Sequence, residues 1–244
     1  MNNSEWYVDW FNSPYYHLLY NNRNDAEAKL FINQLCSFLN LEKQAKVWDL
    51  ACGKGRHALV LNQNKLDVIG TDLSNNSIQE AKQWENAYLH FEVHDMREAY
   101  KANYFKAVFN LFTSIGYFQN FEDNYKVFQN VAASLKEGGY FIIDFFNAHL
   151  VVQSLKPSYC ELRKDIQFNI YKKIVDKHIV KRIEFKDGEQ QLHFEEKVSL
   201  LYKEDFEEFA ASAGLSLQHA FGNYQLESYD ENKSERLILI FKNK

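Results

Sequence analysis

VWDLACGKGRHALVLNQNKLDVIGTD, residues 47–72, reads in order as a strand, a glycine loop, a helix, a second strand and a terminal acid. An apolar run ends at Asp49, and Gly53 and Gly55 let the backbone turn tightly and approach a ligand. A helix starting near Arg56 directs its N-terminus to the same place. The second strand, Leu66 to Thr71, delivers Asp72, a carboxylate about 20 residues beyond the glycines that can accept hydrogen bonds from both hydroxyls of a ribose. The pattern is that of a nucleoside-cofactor site.

Two cofactor classes compete for this spacing. The string GKGRHA satisfies the dinucleotide pattern G-x-G-x-x-G/A, with Ala58 in the last place. In a dinucleotide fold, however, the first glycine follows the strand closely so that the helix dipole meets a pyrophosphate. Here Asp49, Leu50, Ala51 and Cys52 intervene, and an acid at this point repels phosphate. It suits a ligand without phosphate that carries positive charge. The string DLACGKGRHA closely resembles motif I of the class I S-adenosylmethionine-dependent methyltransferases, a strand ending in an acid followed by x-x-C/G-x-G-x-G. The resemblance implies an α/β fold with a Rossmann-like seven-stranded sheet of order 3-2-1-4-5-7-6. The cofactor it implies is S-adenosylmethionine, with S-adenosylhomocysteine as product. Asp49, Ala51, Gly53 and Gly55 would then surround the cofactor, and Asp72 with adjoining Leu73 would take the ribose.

The resemblance continues along the chain. HFEVHDM, residues 90–96, is a third strand ending in an acid, which places Asp95 at the adenine amino group and the Met96 N–H at a ring nitrogen. FKAVFNLFTSIGYF, residues 105–118, resembles the fourth strand and the loop beneath the transferred methyl, and FSSIGY-like strings recur there in small-molecule N-methyltransferases. The resemblance assigns the Asn110 carbonyl to the methionine amino group and makes Leu111 to Ile115 the floor of the methyl site. LKEGGYFIIDFFN, residues 135–147, matches a helix, a turn at Gly138-Gly139 and a fifth strand. KEDFEEFAASAGL, residues 203–215, is an amphipathic helix ended by Gly214, and SLQHAFGNY and SERLILIFKNK read as an antiparallel terminal pair. A dinucleotide half-domain would add another βαβ crossover instead.

Ahead of this core, residues 6–20 hold Trp6, Tyr7, Trp10, Phe11, Tyr15, Tyr16 and Tyr20, and a helix from about Asp25 to Leu39 follows with Ala26, Leu30, Ile32, Leu35 and Leu39 in broadly helical spacing. Residues 1–40 are thus expected to form a helical cover. In relatives such a segment folds over the cofactor, which makes Tyr16 and Tyr20 candidates for its carboxylate; capping of the helical layer is the other reading of these aromatics. Arg23 is either a partner for the same carboxylate or a solvated loop residue. Between the fifth strand and the last helix, residues 160–201 carry the β-rich runs IQFNIYKKIV, HIVKRIEF and QLHFEEKVSLL, separated by Asp176-Lys177 and Asp187-Gly188. In methyltransferases resembling the glycine and amino-sugar N-methyltransferases, an antiparallel sheet inserted here lines the acceptor pocket; a dimer interface is the alternative. Lys172, Lys173, Lys177, Lys181 and Arg182 cluster in it, but interspersed acids mark them as charges guarding exposed strands.

The composition fits one domain over residues 1–244: 46% hydrophobic residues supply a core, and only nine glycines and two prolines leave little for linkers. A net charge of −5 is the opposite of a nucleic-acid footprint. The first residues have no basic-then-apolar leader pattern, and no apolar run approaches the roughly 20 residues of a membrane span. A cytoplasmic protein, monomeric or homodimeric, acting on a small molecule is expected. Cys36, Cys52 and Cys160 have no C-x-x-C spacing, so neither a disulfide framework nor a metal site is expected.

No residue stands out as a general base. His57 reads as local packing at the helix start, and His94 as pointing away from the adenine by strand alternation. Phe112, Tyr117 and Asn147 are candidates for acceptor contact; His149, His193 and Tyr224 are further residues whose place the sequence alone does not decide. The motifs N/D-P-P-Y/F and Pro-Cys of amide, adenine and cytosine methyltransferases are absent, which leaves a small-molecule acceptor with nitrogen or oxygen as nucleophile. A nicotinamide-dependent oxidoreductase and a non-catalytic S-adenosylmethionine-binding protein are the rival readings.

Overall fold

The computed structural model of the chain describes residues 10–20, 25–118 and 120–244, so Trp6, Tyr7 and Arg23 lie outside the described residues. Five parallel strands, β1 (Lys46–Leu50), β2 (Asp67–Asp72), β3 (Leu89–Val93), β4 (Phe105–Asn110) and β5 (Leu135–Phe146), form the body of the main sheet. Strands β10 (Leu215–Phe221) and β11 (Arg236–Asn243) complete it antiparallel, in the order β10-β11-β5-β4-β1-β2-β3. This is the expected seven-stranded topology, ending in the terminal hairpin.

The central strands are apolar because helices cover both faces. Val47 and Trp48, adjacent on β1, point to opposite faces, one toward Phe31, Ala58 and Phe109, the other toward Phe105, Val108 and Phe141. Helix α3 (Arg56–Gln63) follows β1 and α4 (Asn75–Ala81) follows β2; α5 (Glu122–Ser134) and α7 (Lys203–Ser212) cover the other side. Helix α2 (Asp25–Phe38) buries Ala28, Phe31, Ile32, Leu35 and, just past its end, Leu39. That stripe at i, i+3, i+4, i+7 and i+11 replaces the one read through Ala26 and Leu30. Leu30 stands about 100° around the helix from Phe31 and is exposed.

Gly138 and Gly139 do not separate helix from strand. They lie within β5, where two residues of β4, Phe105 and Ala107, face the stretch from Leu135 to Tyr140. Gly138, at φ +66°, absorbs the extra residues as a bulge.

After the short helix α6 (Ala148–Ser154) comes a separate four-stranded antiparallel sheet, β6 (Ser158–Arg163), β7 (Ile166–Val175), β8 (His178–Asp187) and β9 (Gln190–Ser199). The sequence pattern gives three of these strands; β6, SYCELR, is too polar and exposed to announce itself. Asp176 and Lys177 both take positive φ, which closes the two-residue β7–β8 hairpin. The inner face of this sheet, with Phe168, Ile170, Ile183 and Phe185, packs on Trp10 and Leu19 of the N-terminal segment that includes α1 (Pro14–Leu19). Among the described residues, the early aromatics Trp10, Phe11, Tyr15, Tyr16 and Tyr20 therefore belong to the cluster on the inserted sheet rather than to the helical layer of the main one.

Candidate functional site

The carboxyl ends of β1, β2 and β4 open on one cavity of about 410 Å³, within the roughly 300–1,000 Å³ range of small-molecule sites. Its wall runs from the glycine loop (Leu50 to Lys54) through Asp72 and Leu73 to Asp95 and Met96, and back along Leu111 to Ser114. Phe11, Tyr16, His17 and Tyr20 close it from the N-terminal segment.

Asp49 lies directly behind this wall. It is 1% exposed, and neither carboxylate oxygen has a partner in hydrogen-bond geometry among the described residues. Burial raises its carboxyl to about 7; Asp72 adds to the rise, whereas the Ala58 N–H and Arg56 oppose it. A buried acid whose charge is incompletely compensated beside a ligand cavity is hostile to phosphate and receptive to a cation. Ala51, at φ +62°, then turns the chain sharply into the loop.

Asp72 ties the loop together. Its Oδ2 accepts the Gly53 N–H at 2.8 Å and its Oδ1 the Ser74 N–H at 2.8 Å. Burial pushes this carboxyl upward while the two N–H groups pull it back. Each oxygen keeps acceptor capacity toward the cavity. Gly53, at φ +55°, has nothing within 4 Å of where a Cβ would stand, so a ligand can approach its backbone. Gly55, at φ +82°, does not line the cavity; a Cβ there would meet the Phe91 ring at 2.6 Å. Its glycine is demanded by packing and by the left-handed turn into α3. Cys52 lines the cavity, but burial, with Asp49 and Asp72, holds its thiol well above the ordinary range, so it is no nucleophile.

Asp95 and Met96 lie at the cavity's other end. Arg97 grips Asp95 through its Nε at 3.0 and 3.1 Å and its Nη2 at 2.6 Å, and also reaches Asp123 at 3.3 Å. Burial works against the Asp95 charge, but Arg97 outweighs it and the carboxyl is lowered. His94 lines the cavity as well, against the expectation from strand alternation; β3 ends at Val93, so the alternation no longer governs it. Its ring packs 4.7 Å from that of Tyr100.

On the floor, Phe112 and Thr113 both take left-handed φ, +61° and +62°. His57 is buried and stacks on Phe112 at 4.9 Å, and Tyr117 lines the cavity 5.4 Å from Phe11. Asn110 stays behind the wall, its Nδ2 donating to the Leu50 carbonyl at 3.0 Å and so joining the ends of β4 and β1.

Tyr16 and Tyr20 both face the cavity. The Tyr20 hydroxyl donates to Glu196 of β9 at 2.6 Å and contacts Lys181. Burial, then Glu196, holds its phenol well above the ordinary range. Glu196 also accepts the Trp10 indole N–H at 2.7 Å and lies 3.4 Å from Lys181. No residue of 160–201 lines the cavity; the inserted sheet meets its surroundings through Tyr20 and through the Ser199 N–H, which donates to the Gly116 carbonyl at 2.8 Å beside Tyr117. His17, beside the Lys54–Glu80 ion pair of 2.6 Å, is lowered to about 4 by burial and by Lys54 and stays neutral.

Asn147, a candidate for acceptor contact, and His149, His193 and Tyr224, which the sequence does not place, do not line the cavity. Asn147 is a buried helix cap: its Oδ1 accepts the His149 N–H, and its Nδ2 donates to the Glu231 and Ser234 carbonyls, both at 2.8 Å. Its amide is engaged within the fold. His149 sits by Tyr202 and Glu231, His193 is exposed on β9, and Tyr224 packs on Phe31 and bonds to Asp144. His17, Lys54, Arg56 and Glu196 were not singled out as site residues by the sequence. Lys54 and Arg56 carried a signal, because they alternate with the loop glycines; His17 and Glu196 depend on a tertiary approach.

Residues 41–209 match a family model described as a methyltransferase domain, more than half of the chain. The chain belongs to this methyltransferase family. The match begins just before β1 and ends in α7, so it spans the cofactor-facing core and the inserted sheet of the methyltransferase alike. No curated protein matches the chain. Among solved structures, an S-adenosylmethionine-dependent methyltransferase from Clostridium acetobutylicum ATCC 824 superposes with a TM-score of 0.79 at 22% identity, over 96% of this chain and 98% of that one. The sugar N-methyltransferase KedS8 from Streptoalloteichus sp ATCC 53650 gives 0.73 at 19% identity, over 94% and 92%. CalS10, an amino pentose methyltransferase from Micromonospora echinaspora in its S-adenosylmethionine-bound form, gives 0.71 at 16% identity, over 95% and 98%. At these identities the likeness is one of fold. Among the described residues no cluster of His, Cys, Asp or Glu could hold a metal ion, and no helix is long and apolar enough to cross a membrane.

Proposed function

We propose that this methyltransferase uses S-adenosylmethionine to methylate a small-molecule acceptor, with an amine nitrogen as nucleophile. The observation that carries the reading is Asp49, a buried carboxylate just behind the cavity wall whose oxygens have no partner in hydrogen-bond geometry among the described residues and whose charge burial disfavours, which favours a cationic nucleoside ligand over a pyrophosphate. S-adenosylmethionine supplies an electrophilic methyl group on a sulfonium, open to in-line attack by a lone pair.

The chain's residues divide the remaining work. Asp72, already anchored by two backbone N–H groups, accepts the ribose hydroxyls, with Leu73 alongside. Asp95 and the Met96 N–H address the adenine, and Arg97 fixes the Asp95 carboxylate in place. Gly53 and Ala51 present backbone to the ligand; Asp49 supplies negative charge toward the methionine ammonium from behind the wall, and Asn110, also behind it, supports that part of the wall by tying the ends of β4 and β1. Phe11, Tyr16, His17 and Tyr20 cover the cavity and keep water from the reacting pair.

The acceptor end supports nitrogen over oxygen. An amine needs only a neutral lone pair in line with the S–CH₃ bond, whereas an alcohol needs a general base. This end presents rings and hydroxyls, Phe11, Tyr16, Tyr117, Ser114 and a Tyr20 held protonated, together with His17, which at about 4 is a weak base. Phe112 and Tyr117 orient the acceptor. The cover (residues 1–40) and insertion (160–201) belong to one working unit, monomeric or homodimeric, with no nucleic-acid partner. The three free cysteines accord with a reducing, cytoplasmic setting.

Calorimetric titration with S-adenosylmethionine, S-adenosylhomocysteine and NADH tests the reading. Saturable binding of the two adenosyl ligands alone is expected, followed by turnover in a panel of amines, phenols and carboxylates. Binding of NADH alone would make the protein an oxidoreductase, and adenosyl binding without turnover on any acceptor would make it a binding protein.

A further inference from the structure

Behind the cavity floor, Asp144 of β5 is fully buried and spends its polar atoms on one turn. Its Oδ2 accepts the Phe112 N–H at 3.0 Å, and its backbone carbonyl accepts the Thr113 N–H at 2.9 Å. Its Oδ1 accepts from Arg236 Nε at 2.7 Å, and Arg236 Nη2 donates to Thr113 Oγ1 at 3.2 Å. Arg236 opens β11, two positions in register from the residue facing Asp144. The Tyr224 hydroxyl completes the cluster at 3.3 Å from Asp144 Oδ2.

These contacts converge on Phe112 and Thr113, two consecutive non-glycine residues in the left-handed region. Side-chain sterics disfavour that conformation, and β-branched Thr113 resists it more than most residues, so the turn persists only where its surroundings over-determine it. The main sheet has its own β5–β11 ladder, so the Asp144–Arg236 pair is not needed to join the strands. Neither residue lines the cavity, whereas Phe112 and Thr113 both do.

We propose that Asp144 and Arg236 are positioning residues of the methyl-transfer reaction, holding the Phe112–Thr113 turn left-handed and thereby fixing the cavity floor beneath the transferred methyl. The placement beneath the methyl rests on the function proposed above; the holding of the turn stands on geometry alone.

The test uses the full chain with Arg236→Met, Asp144→Asn and the double variant Arg236→Met/Thr113→Gly. Amide hydrogen exchange is read at Phe112 and Thr113, with Val108 and Ile142 in β4 and β5 as references. Loss of the Arg236 or Asp144 contacts should speed exchange of the two turn amides about tenfold or more, the scale of one lost hydrogen bond, with the sheet amides unchanged. The glycine variant should restore protection at Phe112, because glycine takes this conformation freely. Turn amides that stay protected, or protection lost equally in β4 and β5, would overturn the holding role. Titration of the same variants with S-adenosylmethionine and S-adenosylhomocysteine decides the rest. A displaced floor should weaken the methyl-bearing ligand several-fold relative to the other, and an equal change in both would overturn the placement. If the native protein binds neither ligand, the functional reading fails while the amide experiment still judges the turn.

Discussion

Tyr20 hands its hydroxyl hydrogen to Glu196 at 2.6 Å, across 176 positions of sequence, and so couples the cover of the cavity to the inserted sheet. The inserted sheet supplies no wall of its own, yet its buried carboxylate also receives the Trp10 indole and faces Lys181. Glu196 thus helps to hold the N-terminal segment over the site, together with the apolar packing of Trp10 and Leu19 and the Tyr15–Asp187 hydrogen bond of 2.6 Å.

Glu196→Gln should therefore loosen the cover without damaging the core. The amide loses the ionic pairing with Lys181, and its NH₂ turns a donor toward neighbours that are themselves donors. The expected cost is about 1–3 kcal/mol, the scale of a buried group left unsatisfied. Thermal unfolding should show the loss. S-adenosylhomocysteine titration should show affinity within a few-fold of native, and a far larger drop in affinity than in stability would place Glu196 in the cofactor site itself.

Replacing Asp72 with Ala should weaken S-adenosylmethionine binding by roughly 1.5–3 kcal/mol, the range of a hydrogen bond to a charged group. The same change frees the Gly53 and Ser74 N–H groups, so melting should fall modestly as well. Unchanged affinity by calorimetry would remove Asp72 from the ribose.

Asp49 gives a pH signature. Its carboxyl sits at about 7 in the folded protein against an ordinary 3.8, chiefly through burial. Between these values the folded chain keeps a proton that the unfolded chain releases, so the ligand-free protein should lose stability as pH rises from 4 to 7 and level off above. Asp49→Asn should flatten that slope in denaturant titrations at several pH values. A cationic ligand favours the ionised form, so S-adenosylmethionine affinity should rise toward pH 7 by at most about tenfold per pH unit, with proton release measurable by calorimetry in buffers of different ionisation enthalpy. Proton uptake would contradict the assignment.

Gly55→Ala should destabilise the fold rather than the ligand contact. The new Cβ meets the Phe91 ring at 2.6 Å and strains a backbone at φ +82°. A loss of about 1–3 kcal/mol is expected from overpacking and left-handed strain together. The matched control is Gly53→Ala, where a Cβ meets nothing within 4 Å; it should cost less stability and more affinity, and the reverse order would exchange the roles of the two glycines.

By itself the sequence determined the order of elements and the acids that end them. Strand, glycine loop and helix from β1 to α3 are written in local periodicity and in residues whose backbone preferences act over a few positions, and so are Asp72, Asp95 and the terminal pair β10 and β11. Only the tertiary structure decided what faces the cavity. Asn147 looked available at the end of β5, but the chain near Glu231 and Ser234 returns to occupy its amide. Tyr16 and Tyr20 fell within an aromatic run of many candidates, and packing of that run on β7 and β8 selected which rings turn inward. Nothing in the local pattern marks Glu196 or Arg236. Each acquires its role from a partner more than ninety positions away, through a hydrogen bond whose distance and direction no local pattern encodes.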